Sequence, residues 1–426
     1  MRQLLPRFRS MCFIICLNCL VVPLTLRYWT CQIMQIKKVE EKTEKYQSIT
    51  IQSDRYIKKI PKRKCNARQH VVFLKTHKTG GSTITNILNR YGEARDFNFI
   101  LPRIGENRLD WPWFFQKDSF YPLNGSEPNI LCNHARYSKE TMKAVMPNDT
   151  IFVTILRHPI TQFESSFSYM TLDKILGMEN STNPIEEFFK DPESVLVNYV
   201  LTQDLRINSD RLKLIRNGMF YDLGLESKDF ENRAKISEAI RQIDSEFDLV
   251  MITEYFDESL VLLKRILCWE LDDLVYFRLK QRTNGWIRNL SSPLKRKITH
   301  WSSADMALYE HFNRTFWKVI EKMGSDFWEE VKILKAKTKI MKSLCLRNDN
   351  TASAELLQTA ETKQFKLRSD IPRTAREMCK RMTWDEIKYL KHLREIQIER
   401  IESANKKNDR NIFESFSWIA EKFKTM

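Results

Sequence analysis

The chain is expected to fold as an α/β protein whose parallel sheet is flanked by helices in a P-loop-like arrangement. Three observations predict this. Short apolar, β-branched runs recur at Val71–Leu74, Ile151–Leu156 and Leu249–Thr253. Each is followed by a helical pattern, near 82–91, 160–171 and 258–268. Strands that alternate with helices in this way imply parallel pairing through crossover connections. The third observation is the loop after the first run, Lys75-Thr76-His77-Lys78-Thr79-Gly80-Gly81-Ser82-Thr83. A strand, a small-residue loop and a helix N-terminus make an anion cradle, because free N–H groups and the helix dipole point at the ligand. Only 10 glycines occur in 426 residues, so two adjacent ones need a reason. A nucleoside triphosphatase loop has its lysine after the glycines; here Lys78 precedes Gly80 and Gly81, which argues against that class.

The segments before the sheet set the compartment. Ser10 to Leu26 carry no charge and are mostly apolar, with Arg2, Arg7 and Arg9 in front. Positive charge on the short side predicts a cytosolic N-terminus. The run is slightly short of the ~20 residues that cross a bilayer, which suits a thinner early-secretory membrane. A cleaved signal peptide is the rival, but Cys31-Gln32-Ile33-Met34 is a poor cleavage site. The expected layout is a cytosolic tail at 1–9, a signal-anchor transmembrane helix at 10–27 and a polar stem at 28–66. A catalytic-type α/β domain follows at 67–330, then a charged, amphipathic helical extension at 331–426 packed on the core.

Five N-x-[ST] sequons, at Asn124, Asn148, Asn180, Asn289 and Asn313, agree with a lumenal domain. So do five cysteines farther along the chain, Cys65, Cys132, Cys268, Cys345 and Cys379. Their odd number leaves one unpaired or pairing with Cys31, and Cys345 with Cys379 is one candidate pair. Beyond the apolar run no C-x-x-C pair and no Cys/His cluster suggests zinc. The net charge of +16 suits anionic ligands without choosing among nucleotide, nucleic acid and membrane.

A second element complements the loop. Arg157 ends the run Ile151–Leu156, and Ser165 stands eight residues later on the following helix. A guanidinium fork and a hydroxyl can close on one phosphate. One anion at the glycine loop and another at Arg157 and Ser165 fit a nucleotide phosphorylated on both its 5′ and 3′ sides.

With those residues the chain resembles the sulfotransferases that use 3′-phosphoadenosine 5′-phosphosulfate. More closely, it resembles the galactose 3-O-sulfotransferase family. The segments that carry the likeness are Phe73-Leu74-Lys75-Thr76-His77-Lys78-Thr79, Cys132-Asn133-His134-Ala135-Arg136, Glu254-Tyr255-Phe256-Asp257-Glu258-Ser259-Leu260 and His311-Phe312-Asn313-Arg314-Thr315-Phe316-Trp317. The likeness covers about 67–325. It implies a sulfotransferase fold and in-line, metal-free transfer of a sulfuryl group to the 3-hydroxyl of a terminal β-galactose. The acceptor would be galactosylceramide or a related glycolipid, or else a lactosamine-type glycan, and the enzyme would sit in the Golgi membrane. Lys78 would neutralise charge on the bridging oxygen. Thr79, Gly80, Gly81, Ser82 and Thr83 would hold the 5′-phosphate, and Arg157 with Ser165 the 3′-phosphate.

A sugar hydroxyl also needs a base. His134 is the candidate, because it follows the apolar Asn129–Cys132 run and lies between the nucleotide motifs, as a catalytic histidine does in related enzymes. His77 is expected to pack or to lean cationic, and His158 to be structural. The basic turn 280–285 is a candidate nucleotide cover. A metal-independent Golgi glycosyltransferase is the more distant alternative, and no D-x-D motif is present to favour the metal-dependent kind. A non-catalytic anion-binding module would leave the paired phosphate motifs unexplained. Nucleic acid is not an expected partner.

Overall fold

The computed structural model describes residues 65–103, 107–202, 210, 212–282, 288–347 and 365–403. The tail, the anchor and nearly all of the stem expected from the sequence lie outside these residues. Among the described residues no helix is long and apolar enough to cross a membrane.

The first apolar run forms strand β1 (Val71–Leu74), and helix α1 (Gly81–Glu93) follows it. Strands β2 (Arg108–Phe114), β3 (Ile130–Leu131), β4 (His134–Arg136), β5 (Ile151–Leu156) and β6 (Leu249–Ile252) come after. The main sheet has the order β3-β1-β5-β6, and every pair in it is parallel. The four β1 residues are fully buried, as a strand covered on both faces requires. Each such side chain stabilises the fold by roughly 1.5–3 kcal/mol relative to exposure. A separate parallel pair, β2 with β4, sets Arg108 opposite His134.

The strand order positions the site. The chain leaving β1 pairs next at β3 on one side, and the chain leaving β5 pairs next at β6 on the other. Connections that depart in opposite directions open a crevice at the carboxyl ends of the two strands, where open α/β sheets bind ligands. The two loops at that crevice are the glycine loop after β1 and the Arg157 turn after β5.

Helix α2 (Pro159–Tyr169) follows the Arg157 turn and packs its Phe163 and Phe167 into an aromatic cluster with Phe188, Phe189 and Trp301. The short α3 (Gly218–Asp222), then α4 (Phe256–Leu267) and α5 (Ser303–Glu321), complete the core. α6 (Ser325–Cys345) runs through position 331 without a break. Beyond it, α7 (Arg373–Thr383) and a helix α8 over 386–403 return to α1. Tyr389, Leu390 and Leu393 of α8 are buried in the main core. Glu93 at the end of α1 binds Arg381 (2.9 Å) and His392 (2.8 Å), and it also accepts from Tyr389.

Among the described residues two disulfides form, Cys65–Cys268 and Cys345–Cys379. Cys132 is the free cysteine of the described residues and is buried, its thiol pushed far above the ordinary value by desolvation. Asn124, Asn148, Asn180 and Asn289 are exposed, whereas Asn313 is half-buried in α5.

Candidate active site

The loop after β1 is pinned from β5 and from the turn after β6. Thr76 Oγ1 donates to the Ile155 carbonyl of β5, and Thr253 Oγ1, just after β6, lies 2.5 Å from Thr79 O and 2.9 Å from Leu156 O. The two glycines have different reasons. Gly80 caps α1 with φ 87°, the left-handed region that glycine occupies without strain. Gly81 is required by proximity, because a Cβ there would stand 2.8 Å from Lys75 Cγ. The absent side chain lets the Lys75 stem pass beneath the start of α1. Thr83 N donates to Gly80 O (3.1 Å), while the amides of Gly81 and Ser82, in the first turn, have no intrahelical acceptor to reach.

Lys75, Thr76, His77, Lys78, Gly80, Gly81, Ser82 and Thr83 line one cavity of about 480 Å³ together with His134, Arg157 and Ser165. That volume lies within the range of small-molecule sites. All but one of the predicted site residues thus meet at one place. The exception is Thr79, which is fully buried behind the loop with its hydroxyl donating back to Thr76 O (2.9 Å). Its contribution is to loop shape. Helix α2 presents Thr161, Ser165 and Tyr169 to the cavity; their spacing of four places them on one helical face.

Six cations line the cavity, namely Lys75, Lys78, Arg157, Arg278, Lys280 and Arg282, against two carboxylates, Glu254 and Glu386. Such a balance attracts a polyanion. Lys78 has φ 62°, and its ammonium sits 3.5 Å from the centre of the Tyr169 ring. Arg157 donates from Nη1 to Lys78 O (3.1 Å) and from Nε to Thr161 Oγ1 (3.0 Å), so the two anion motifs touch directly. Burial lowers the Arg157 pKa, with Glu254 acting in the opposite sense. Arg282 forms a bidentate pair with buried Glu164 of α2. Part of the basic turn expected at 280–285 therefore does line the cavity, while 283–287 lie outside the described residues.

His134 begins β4, and its Nδ1 is buried without a hydrogen-bond partner. Desolvation, then the charges of Lys75, His77, Arg108 and Lys280, hold its pKa well below the ordinary histidine value. The ring is thus neutral, the form that accepts a proton. His77 stacks on it and is itself held by Asp222 of α3, which accepts from His77 N (2.7 Å), pairs with Nδ1 (3.0 Å) and accepts from Trp111 Nε1 (2.9 Å).

Sequence reasoning missed Asp222, Trp111 and Glu386. Asp222 had one signal, a carboxylate inside the apolar stretch Met219-Phe220-Tyr221-Asp222-Leu223. Buried acids need partners. Glu386 had none. It arrives from α8, more than 300 residues from Lys75, and forms a buried ion pair with it. Burial lowers the Lys75 pKa, and Glu386 opposes that shift.

A sequence profile of the galactose-3-O-sulfotransferase family matches residues 2–397, a span that includes the loop, His134, Arg157 and Glu386. The chain belongs to the galactose-3-O-sulfotransferase family. It is 34% identical to human galactosylceramide sulfotransferase over 343 residues, 77% of this chain and 79% of the relative. It is 31% identical to mouse galactose-3-O-sulfotransferase 2 over 345 residues, covering 77% and 85%. It is 36% identical to mouse galactose-3-O-sulfotransferase 3 over 258 residues, 60% and 58%. The protein is therefore a sulfotransferase, and the family implies 3′-phosphoadenosine 5′-phosphosulfate as donor. The residues present fit that donor, since two anion-binding elements from separate loops share one cavity of strongly positive character.

Proposed function

We propose that the enzyme transfers a sulfuryl group from 3′-phosphoadenosine 5′-phosphosulfate to the 3-hydroxyl of a terminal β-galactose. Galactosylceramide or a related glycolipid is the proposed acceptor. The single observation that carries the reaction is the meeting of Lys78, Arg157 and neutral His134 around one cavity at the carboxyl ends of β1 and β5.

When bound, the donor supplies the sulfuryl group, whose bond to the phosphate oxygen breaks as the sugar oxygen bonds to sulfur. Gly81 and Ser82 offer amides, and Ser82 and Thr83 hydroxyls, to the 5′-phosphate. Lys78 stabilises the negative charge that grows on the departing phosphate oxygen, in a site where low dielectric strengthens such a contact. Arg157 and Ser165 hold the 3′-phosphate. His134, which lines the same cavity, takes the hydroxyl proton on its imidazole. Its neutrality leaves it ready to do so at neutral pH.

The acceptor reading draws on the relatives named for galactosylceramide, which align over most of this chain. The apolar run at 10–26, with arginines before it, supports a single-pass type II membrane protein of the Golgi, its catalytic part lumenal. Exposed sequons at Asn124, Asn148, Asn180 and Asn289 suit that side of the membrane.

The test is incubation of the full chain in detergent with labelled sulfate donor and a panel of acceptors: galactosylceramide, lactosylceramide, N-acetyllactosamine and glucosylceramide. Label on the galactosides with linkage at O3, strongest on galactosylceramide, is the expected result. Label confined to N-acetyllactosamine would move the acceptor to glycoprotein glycans, and no label on any galactoside would overturn the reaction.

A further inference from the structure

Helix α8 contributes Glu386 to the wall of the cavity. Three ionisable groups meet there. Lys75 at the end of β1 and Glu386 at the start of α8 form a buried ion pair, and the Lys75 charge also acts on His134. All three line the same cavity. Glu386 is 4% exposed. Its Oε2 pairs with Lys75 Nζ, while its Oε1 is buried with no partner among the described residues. The other lining carboxylate differs, because both Glu254 oxygens are occupied, by His158 N at 2.9 Å and by Tyr309 Oη at 3.2 Å.

An unsatisfied buried carboxylate oxygen is costly, and its presence in a ligand cavity asks for a donor from the ligand. The phosphates and sulfate of the nucleotide would be repelled by a carboxylate, and its other donors, the ribose 2′-hydroxyl and the adenine amine, are separated from the sugar's by measuring nucleotide affinity beside the galactoside KM. A sugar offers what is missing, since its hydroxyls donate. We propose that Glu386 is an acceptor-binding residue, with Oε1 receiving a hydroxyl of the galactose while Lys75 fixes the carboxylate in place. The inference rests on the sulfotransferase reading above and adds the residue that binds the sugar.

The surroundings hold Glu386 firmly enough for this task. Gly81 leaves the space through which Lys75 reaches it. The Cys345–Cys379 disulfide ties α6 to α7, directly before α8. Asn86 of α1 donates to Arg381 O (2.9 Å) and Trp384 O (3.3 Å), two carbonyls that flank the turn into α8. The helix that begins the phosphate site and the helix that carries Glu386 are therefore fastened to each other. On this view the segment after 365 is a wall of the active site.

The experiment uses the full chain in detergent and three proteins: wild type, Glu386→Gln, and the double variant Lys75→Met/Glu386→Leu, which removes the ion pair and the acceptor oxygens together. KM and kcat are measured with galactosylceramide, and affinity for adenosine 3′,5′-bisphosphate is measured by calorimetry. The expected result is a galactoside KM raised roughly tenfold or more in Glu386→Gln, as for a lost hydrogen bond to a charged group, with bisphosphate affinity within about twofold of wild type. The double variant should keep the raised KM. An unchanged galactoside KM in Glu386→Gln would overturn the proposal, and so would its recovery in the double variant, which would make Glu386 only the counter-ion of Lys75. Failure of wild type itself on every galactoside would instead remove the functional reading and this inference with it.

Discussion

The imidazoles of His77 and His134 lie stacked, with ring centroids 4.0 Å apart and planes 19° from parallel. One ring comes from the anion loop and the other from the first residue of β4. Their contact joins the glycine loop to the proposed base. Asp222 holds the His77 ring and so positions the His134 ring stacked on it.

Lys78→Ala is expected to lower kcat by roughly 10²–10³-fold, the usual loss when a group stabilising transition-state charge is removed. Folding should survive, because the side chain lies against the half-exposed ring of Tyr169 at the cavity edge. Initial rates and the thermal midpoint, measured together, check this. Near wild-type turnover would place the charge stabilisation on another cation.

Arg157→Ala should weaken binding of adenosine 3′,5′-bisphosphate by about 1.5–3 kcal/mol, the worth of a hydrogen bond to a charged group. Calorimetric titration reads it directly. Unchanged affinity would mean that the guanidinium serves only Lys78 O and Thr161.

His134→Asn should abolish transfer while nucleotide affinity is kept, and it should also change how stability depends on pH. The folded-state pKa of His134 is lowered, so below about pH 6.5 the unfolded chain takes up a proton that the folded chain does not. Its contribution is complete above that pH and is lost as pH falls. Asp305, raised from 3.8 to about 7 by burial, acts in the opposite sense, since its contribution falls as pH rises between those values. The difference between wild type and His134→Asn isolates the histidine. Urea midpoints at pH 5, 6 and 7 should fall less steeply on acidification in the variant; parallel curves would show that His134 is not held neutral.

Asp222→Asn places an amide donor among three donors, His77 N, His77 Nδ1 and Trp111 Nε1. At least one of them loses its acceptor. The expected cost is about 1–3 kcal/mol of stability, with a fall in kcat larger than the change in nucleotide affinity. Denaturant unfolding and steady-state kinetics check the two parts, and an unchanged kcat would limit Asp222 to a folding role.

Much of the β1–β5 side of the cavity was legible from local sequence. The runs predicted at Val71–Leu74 and Ile151–Leu156 are β1 and β5 to the residue, and the third, Leu249–Thr253, ends one residue earlier as β6. Their helices begin within about two residues of the expected positions. This follows because strand, loop and helix succeed one another within a few residues, so composition and spacing carry the geometry. The order Lys78 before Gly80 and Gly81 was equally readable, although the different needs of the two glycines were not. Gly80 answers to its own backbone, whereas Gly81 answers to a side chain from the preceding loop.

By itself, then, the sequence determined the sheet, the anion loop, the Arg157 turn and the family, because each depends on residues close together in the chain. Only the tertiary structure decided what stands opposite them. Asp222 reaches His77 across 145 positions and Glu386 reaches Lys75 across 311. Partners at such separations are chosen by how helices pack and where buried charge can be satisfied, and no local pattern of residues records that choice.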